Sequence, residues 1–102
     1  MKHINELRDA IFELHGAKAT HIVSVPVKDV FKGQTVWDGI VEVFDLEGHP
    51  QANRAYAWIH DTGDPNKPHK HVTVLHVPPV VSPLTAVRAF IIQEFRSNAS
   101  EA

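Results

Sequence analysis

The feature that most constrains the fold is a two-residue alternation of small and large side chains along residues 53–61. The small or aliphatic positions are Ala55, Ala57 and Ile59, and the large amphipathic positions are Arg54, Tyr56, Trp58 and His60. Successive side chains of a β-strand point to opposite faces of a sheet, so this pattern predicts a strand. One of its faces suits a closely packed helix, and we expect the other face to stay open.

Two helices are predicted near the ends of the chain. Apolar residues at helical spacing indicate an amphipathic helix over about residues 3–15. Gly16 suits the end of this helix, because a residue without a Cβ tolerates a positive φ. Ser82 is a typical N-cap residue and Pro83 fits the first helical position, so a second helix is predicted to begin there. The predicted core stripes are Ile4, Leu7, Ile11 and Leu14 in the first helix and Leu84, Val87, Ile91 and Phe95 in the second.

Four strands are predicted between the helices, because runs rich in β-branched and aromatic residues alternate with turn residues. Pro26 cannot donate a ladder hydrogen bond, which favours an edge position for the first strand. A loop is predicted over residues 62–70, which contain Gly63, Pro65 and Pro68. The predicted strands are residues 21–27, 36–46, 53–61 and 71–77.

The chain has 102 residues, which is the length of one domain. We assign residues 1–97 to a single α+β domain and residues 98–102 to a small, polar tail that is expected to fray. The predicted element order is α-β-β-β(-β)-α, and short connections favour antiparallel strands. The expected architecture is a two-layer sandwich, in which a three- to four-stranded antiparallel sheet carries the N- and C-terminal helices on one face.

The open face of this sheet is the predicted contact surface. A turn near Gly48 sets even positions of the two central strands opposite each other, which places Ile40 beside Trp58 and Asp38 beside His60. An aromatic patch with a polar rim is typical of an interaction site. The predicted contact residues are Ile40, Phe44, Arg54, Tyr56, Trp58 and His60.

This surface predicts a non-enzymatic interaction module that forms a homodimer through the open sheet face. Closed two-fold dimers are the commonest oligomers, so self-association is the first expectation and another protein is the second. The competing interpretation is that a loop or the tail of the chain covers the face. Size-exclusion and quenching of the tryptophans would separate the two interpretations.

Histidine is unusually frequent, with eight residues against eight Phe, Trp and Tyr together. His69 and His71 are two residues apart and share one strand face if the fourth strand begins early, and His60 lies at the other end of the same predicted loop. Three imidazoles at this end could converge on Zn²⁺, which makes a metal-binding protein an alternative function. The spacing matches no established metal motif and the chain has no cysteine, so the first expectation is that no cofactor is bound.

Other functional classes leave little trace in the sequence. It contains no phosphate-binding glycine loop and no nucleophile motif, and a pair between Asp38 and His60 is interpreted as an ion pair, so the sequence favours a non-enzyme. The order helix, three strands, helix is similar to that of double-stranded-RNA-binding domains, which makes RNA binding a further alternative. Ten Lys and Arg against twelve Asp and Glu, with no basic block, argue against nucleic acid as a partner.

The sequence also predicts where the protein resides. No apolar run approaches the roughly 18 residues that a membrane-spanning helix needs. Residues 1–9 lack the apolar core of a signal peptide. We therefore expect a cytoplasmic protein that makes no membrane contact.

Overall fold

The computed structural model describes the backbone of residues 2–101 and the side chains of residues 3–60, 65–66 and 69–94. Its elements in chain order are α1 Lys2–His15, β1 Lys18–Phe31, β2 Gln34–Glu47, β3 Arg54–Asp64, β4 Lys67–Leu75 and α2 Pro83–Glu101. The described strands form one antiparallel sheet in the order β1-β2-β3-β4. The chain is therefore an α+β protein with the order α-β-β-β-β-α, as the sequence predicts.

The predicted end of α1 and the predicted start of α2 are both confirmed. Gly16 has a φ of 65°, and its N–H donates to the carbonyl oxygen of Phe12 at 2.8 Å. At the start of α2 the Thr85 N–H donates to Ser82 Oγ at 3.2 Å, and the Ser82 N–H donates to Thr85 Oγ1 at 2.9 Å. This reciprocal pair satisfies two backbone donors that the first turn of a helix leaves without partners.

The C-terminal helix contains most of the predicted tail. α2 continues to Glu101 and so includes all but the last residue of the segment 98–102. Ala102 lies outside the described residues, as does the Phe95 side chain, and fraying of the tail stays a prediction. The other residues of the predicted α2 stripe belong to or pack against one buried cluster and are Leu84, Val87 and Ile91.

The strands are longer than the sequence patterns predict. β1 covers residues 18–31 and lies at the edge of the sheet, which confirms the position that Pro26 predicts. The predicted loop over residues 62–70 is instead the end of one hairpin, because β3 ends at Asp64 and β4 begins at Lys67. A two-residue connection of this kind is the shortest common link between antiparallel strands.

One face of the sheet is covered by α1. Leu7 and Ile11 of α1 are 1% and 0% exposed and share a buried cluster with Ala55 and Ala57 of β3. The short alanine side chains let the helix approach the sheet closely, as the alternation in β3 predicts. The same cluster also contains Ala17, Ala19, Phe44, Leu46 and Ala52.

The opposite face is covered by α2. Val87 and Phe90 of α2 share a second buried cluster with Tyr56 and Trp58 of β3. Because Tyr56 and Trp58 alternate with the two alanines along β3, the two clusters lie on opposite faces. The predicted two-layer arrangement with both helices on one face is therefore wrong. The fold has three layers, since both faces of β3 carry side chains that are apolar enough to be covered.

The pairing of β2 with β3 differs by one residue from the predicted register. Phe44 pairs with Ala55 and Glu42 pairs with Ala57, whereas the prediction set even positions opposite even positions. A shift of one residue moves a side chain to the other face, so Phe44 and Trp58 lie on different faces.

The connection between β2 and β3 explains this shift, because it is one residue longer than the predicted register needs. The His49 imidazole orders it: Nδ1 accepts the backbone N–H groups of Gln51 and Ala52 at 3.1 and 3.0 Å. The Leu46 N–H then donates to the Asn53 carbonyl oxygen at 2.9 Å and closes the loop.

The hairpin of β1 and β2 extends past the rest of the sheet. β2 pairs with β1 from Gln34 to Glu47, but with β3 over residues 42–45 only, as far as the described residues show. Residues 34–41 of β2 therefore have a single neighbouring strand in the described chain. We call the outer part of this hairpin, residues 26–40, the arm.

Candidate interaction surfaces

The aromatic half of the predicted contact surface is buried within the chain. Tyr56 and Trp58 are each 2% exposed, because α2 lies over them. The Trp58 ring meets the rings of Trp37 and Phe90 edge to face, with centroids 5.6 and 5.4 Å apart. These rings form the core under α2, so the prediction of an open aromatic face is wrong.

The other predicted contact residues are divided between the two faces. Phe44 is fully buried beneath α1, while Ile40, which shares its face, is 49% exposed. The His60 ring is half-buried with its centroid 5.1 Å from that of Phe90, and Arg54 is exposed at the start of β3. The structure therefore does not bring the six predicted residues into one surface.

The position of Trp37 depends on Gly39. A Cβ atom at Gly39 would lie 2.9 Å from Cη2 of the Trp37 ring, so no larger residue fits without a shift of the ring. Both residues line a cleft of about 340 Å³ with Trp58 and His60, where β2 and β3 diverge. The Trp58 Nε1 atom is buried and has no hydrogen-bond partner within the described residues. The rings thus fill much of the gap that opens where the two strands separate.

The Tyr56 hydroxyl has a polar partner at the margin of the core under α2. Its hydroxyl is hydrogen-bonded to His76 Nδ1 at 2.6 Å, and the O–H is the donor when the imidazole carries its proton on Nε2. Burial raises the pKa of the Tyr56 phenol, and the nearby Arg54 guanidinium opposes part of this shift. The phenol therefore stays neutral and satisfies a buried acceptor.

The predicted metal site does not assemble. His60 pairs with Lys70 and lies on the α2 face, whereas the neighbouring His71, with His69, lies on the α1 face. His71 Nε2 is 3.5 Å from a carboxylate oxygen of Glu6 in α1. Among the described residues, no group of three His, Asp or Glu side chains is positioned to hold a metal ion. The prediction that three imidazoles converge on Zn²⁺ is therefore wrong.

The predicted pair between Asp38 and His60 also does not form. Asp38 pairs with Lys28 across the arm, on the face that α1 occupies further along the sheet. His60 lies on the α2 face, so the sheet separates the carboxylate from the imidazole. The Asp38 carboxylate therefore does not orient this imidazole for acid–base chemistry.

A group of three polar side chains that sequence reasoning missed lies on the α1 face. His21 Nε2 is 2.9 Å from Glu42 Oε1, and Ser24 Oγ donates to the same carboxylate oxygen. A bulge at Ile22 brings His21 and Ser24 to one face despite their odd spacing, which no sequence pattern indicates. In a nucleophilic triad the carboxylate holds Nδ1 and leaves Nε2 for the hydroxyl, whereas here both groups meet at Nε2. The group therefore ties β1 to β2 and does not activate the serine.

The fold departs from that of double-stranded-RNA-binding domains. The described chain has four strands where that order has three. Arg88, the first cation of α2, donates to both carboxylate oxygens of Asp29 at 3.3 Å, so its charge is engaged within the chain. Among the described residues at the start of α2, no basic surface is placed to bind a phosphate backbone.

Apolar side chains are exposed at the end of the arm. Val30, Phe31 and Val36 are 51%, 65% and 45% exposed, and we call these three residues the tip patch. The Lys32 ammonium lies 5.5 Å from the centroid of the Phe31 ring. Val30 and Phe31 fall outside the predicted strands, which is why sequence reasoning missed them as a surface.

Comparison of the chain with family models, curated proteins and solved structures finds no match. Within the described residues, neither helix has the length and apolar content that crossing a bilayer requires.

Proposed function

We propose that this protein is a non-enzymatic interaction module that forms homodimers through the tip patch of the arm. The observation that carries the proposal is the exposure of three large apolar side chains at the end of a two-stranded hairpin. Large apolar side chains that are exposed close together at one end of a protein are a common mark of a contact site. The proposed contact surface differs from the one predicted from the sequence, of which Tyr56 and Trp58 lie beneath α2.

The arm is the part of the fold that gains most from a partner. An isolated two-stranded hairpin is at best marginally stable in water. On its α2 side the arm is held by Asp29, which is 8% exposed and bound to Arg88. The tip patch lies beyond this tie and is exposed in the described chain. Full burial of one Val or Phe side chain stabilises by roughly 1.5–3 kcal/mol.

A second copy is the partner that best fits the patch. In a two-fold dimer the same surface lies on both sides, so it must be complementary to itself. The tip patch meets this condition, because its three side chains are apolar. The Lys32 ammonium, attracted to the face of the Phe31 ring, stays at the rim of the patch. The two symmetry-related ammonium groups can therefore remain solvated in the dimer.

Sedimentation analysis over a concentration series tests the proposal. We expect the wild-type chain to change from its monomer mass of 11.4 kDa toward twice that mass as concentration rises. The double variant Phe31→Ser, Val36→Thr removes most of the apolar area of the patch. We expect it to remain monomeric at concentrations where the wild-type chain is dimeric.

Phe12→Ser is the matched control for this experiment. Phe12 is 61% exposed, like Phe31, but lies on α1 and outside the arm. We expect this variant to dimerise as the wild-type chain does. A wild-type chain that stays monomeric throughout, or an equal loss in the control, would show that the tip patch is not the contact surface.

A further inference from the structure

The outer edge of β4 carries unpaired backbone groups. The His76 N–H, just past β4, donates to the Arg54 carbonyl oxygen of β3 at 2.9 Å. This hydrogen bond shows which residues of β4 direct their backbone groups toward β3. In an antiparallel ladder these alternate with residues whose backbone groups point outward, which here are His71, Thr73 and Leu75. The Leu75 carbonyl accepts the Val77 N–H at 2.9 Å. The remaining outward groups have no backbone partner within the described residues.

This edge is regular along its described length. β4 pairs with β3 residue for residue from His69 to Leu75 without a bulge, and no proline interrupts that stretch. Its outward donors and acceptors therefore recur every second residue, about 6.6–6.8 Å apart. A regular edge of this kind is a template for one more strand.

The edge lies at the bottom of a groove of about 590 Å³. Leu14 and His15, at the end of α1, form one wall, and α2 forms the other with Ala89, Phe90 and Gln93. Leu14 is 66% exposed, although its place in the apolar stripe predicts a core position. Its side chain extends the apolar surface of α1 into the groove.

We propose that this groove binds an extended, uncharged segment of another protein, which adds to β4 as a fifth strand. The backbone of the segment pairs with the outward groups of β4, and its alternating side chains meet the two helix walls. The site lies at the opposite edge of the sheet from β1 and uses none of the residues of the tip patch. It therefore does not rest on the proposed homodimer.

The shape of the groove selects a single strand over the sheet edge of a second copy. Paired strands lie about 4.8 Å apart, and a second copy would bring its own helix walls to that distance. These walls oppose the pairing of the two edges. Six residues of strand span only about 20 Å, and small contacts are typical of weak, transient complexes. The geometry fits reversible capture of a peptide.

The charges in the groove favour an uncharged segment. Among its described lining residues, Lys70 and Glu94 are the two with permanent charges, and Lys70 Nζ lies 3.7 Å from Glu94 Oε1. The two charges offset each other, so a charged segment would bring an unpaired charge into the groove. Val72 is buried and Val74 half-buried on the α2 side, which suits β-branched side chains in the segment.

Titration of the full ¹⁵N-labelled chain with a defined peptide tests the proposal. The probe is an acetylated and amidated heptapeptide of alternating valine and threonine. We expect saturable shifts of the His71, Thr73 and Leu75 amide signals that exceed those of Val72 and Val74. A peptide with glutamate in place of its valines should bind about tenfold more weakly, or worse.

Thr73→Pro is the decisive variant, because it removes an outward N–H and no hydrogen bond to β3. We expect it to weaken binding by about tenfold or more, while Thr73→Val, which keeps the N–H, binds within about twofold of wild type.

Two N-methylated peptides provide a test that leaves the protein unchanged. One peptide is methylated at the odd-numbered amides and the other at the even-numbered amides. Only one of these two groups of amides faces β4, so methylation should abolish binding of one peptide and leave binding of the other intact.

Several outcomes would overturn the proposal. These are the absence of saturable shifts with wild type, equal effects of the two N-methylated peptides, or unchanged binding by Thr73→Pro. Loss of a sedimenting dimer in Thr73→Pro would assign the edge to a second copy and also overturn it. The tip patch is judged separately by the Phe31→Ser, Val36→Thr variant, so failure of one proposal leaves the other intact.

Discussion

The two outer edges of the sheet are protected in different ways. β1 has a bulge at Ile22, a second irregularity between Asp29 and Val30, and a proline at position 26 that removes one donor. β4 is regular over its described residues and lies between two helix walls. The first edge is a poor template for any strand, whereas the second is regular and, as we propose, binds a single extended segment. A regular edge is thus tolerable where the surroundings already limit what can reach it.

The largest expected difference in stability is between variants in the buried strand β3 and variants in the half-exposed arm. We expect Trp58→Ala, in β3, to lower the free energy of unfolding by about 3–5 kcal/mol, because it leaves a large cavity beneath α2. Ile40→Ala, on the half-exposed arm, should cost far less, within about 1 kcal/mol. Urea denaturation of both variants measures the difference. Equal costs would mean that the Trp58 ring is not covered in solution.

The alternation of backbone groups along β4 provides the next test. Val72→Pro removes a ladder N–H and orphans a β3 carbonyl, so we expect a loss of about 1–3 kcal/mol in the free energy of unfolding. Thr73→Pro removes an outward N–H and should cost less than this. Both variants can be compared by thermal and urea denaturation. If Thr73→Pro were the more damaging, the assignment of inward and outward residues would be reversed.

The smallest expected effect is a pH dependence that comes from Tyr56. Its pKa in the folded chain is raised by burial, so the phenol binds its proton more tightly there than in the unfolded chain. Below about pH 10 both states are protonated, and above it the unfolded state ionises first. The free energy of unfolding should therefore fall as pH rises from 9 to 11, about the ordinary pKa of tyrosine.

Tyr56→Phe is the control for this pH dependence. The variant loses the hydrogen bond to His76 at every pH, but it has no phenol to ionise. Its stability should decline less steeply over the same range. An identical slope in wild type and variant would show that other groups cause the decline.

Local features of the fold could be predicted from the sequence because they depend on a few adjacent residues. The end of α1 follows from Gly16, and the start of α2 follows from Ser82 and Pro83. The edge position of β1 follows from Pro26, whose missing N–H no central strand would accept. Each of these residues has a backbone or capping property that suits only a few kinds of position in a fold.

The placement of the layers could not be predicted in the same way. Alternation in β3 correctly separates Ala57 from Trp58, but it does not say whether one face or both are covered. The register of β2 with β3 depends on how His49 folds the connection, which is a matter of one residue. The group of His21, Ser24 and Glu42 depends on a bulge that has no sequence pattern. The contact surface was predicted wrongly because it depends on these long-range features of the fold.

β3 is a shared wall between two hydrophobic cores, one under each helix. Its alanines support α1, and its Tyr56 and Trp58 support α2. A change that displaces β3 therefore disrupts the packing of both helices at once. Neither helix has a core that is independent of this strand. Melting of the body of the protein in one cooperative step is the consequence, while the tip of the arm, which lies beyond the Asp29–Arg88 pair, opens more easily.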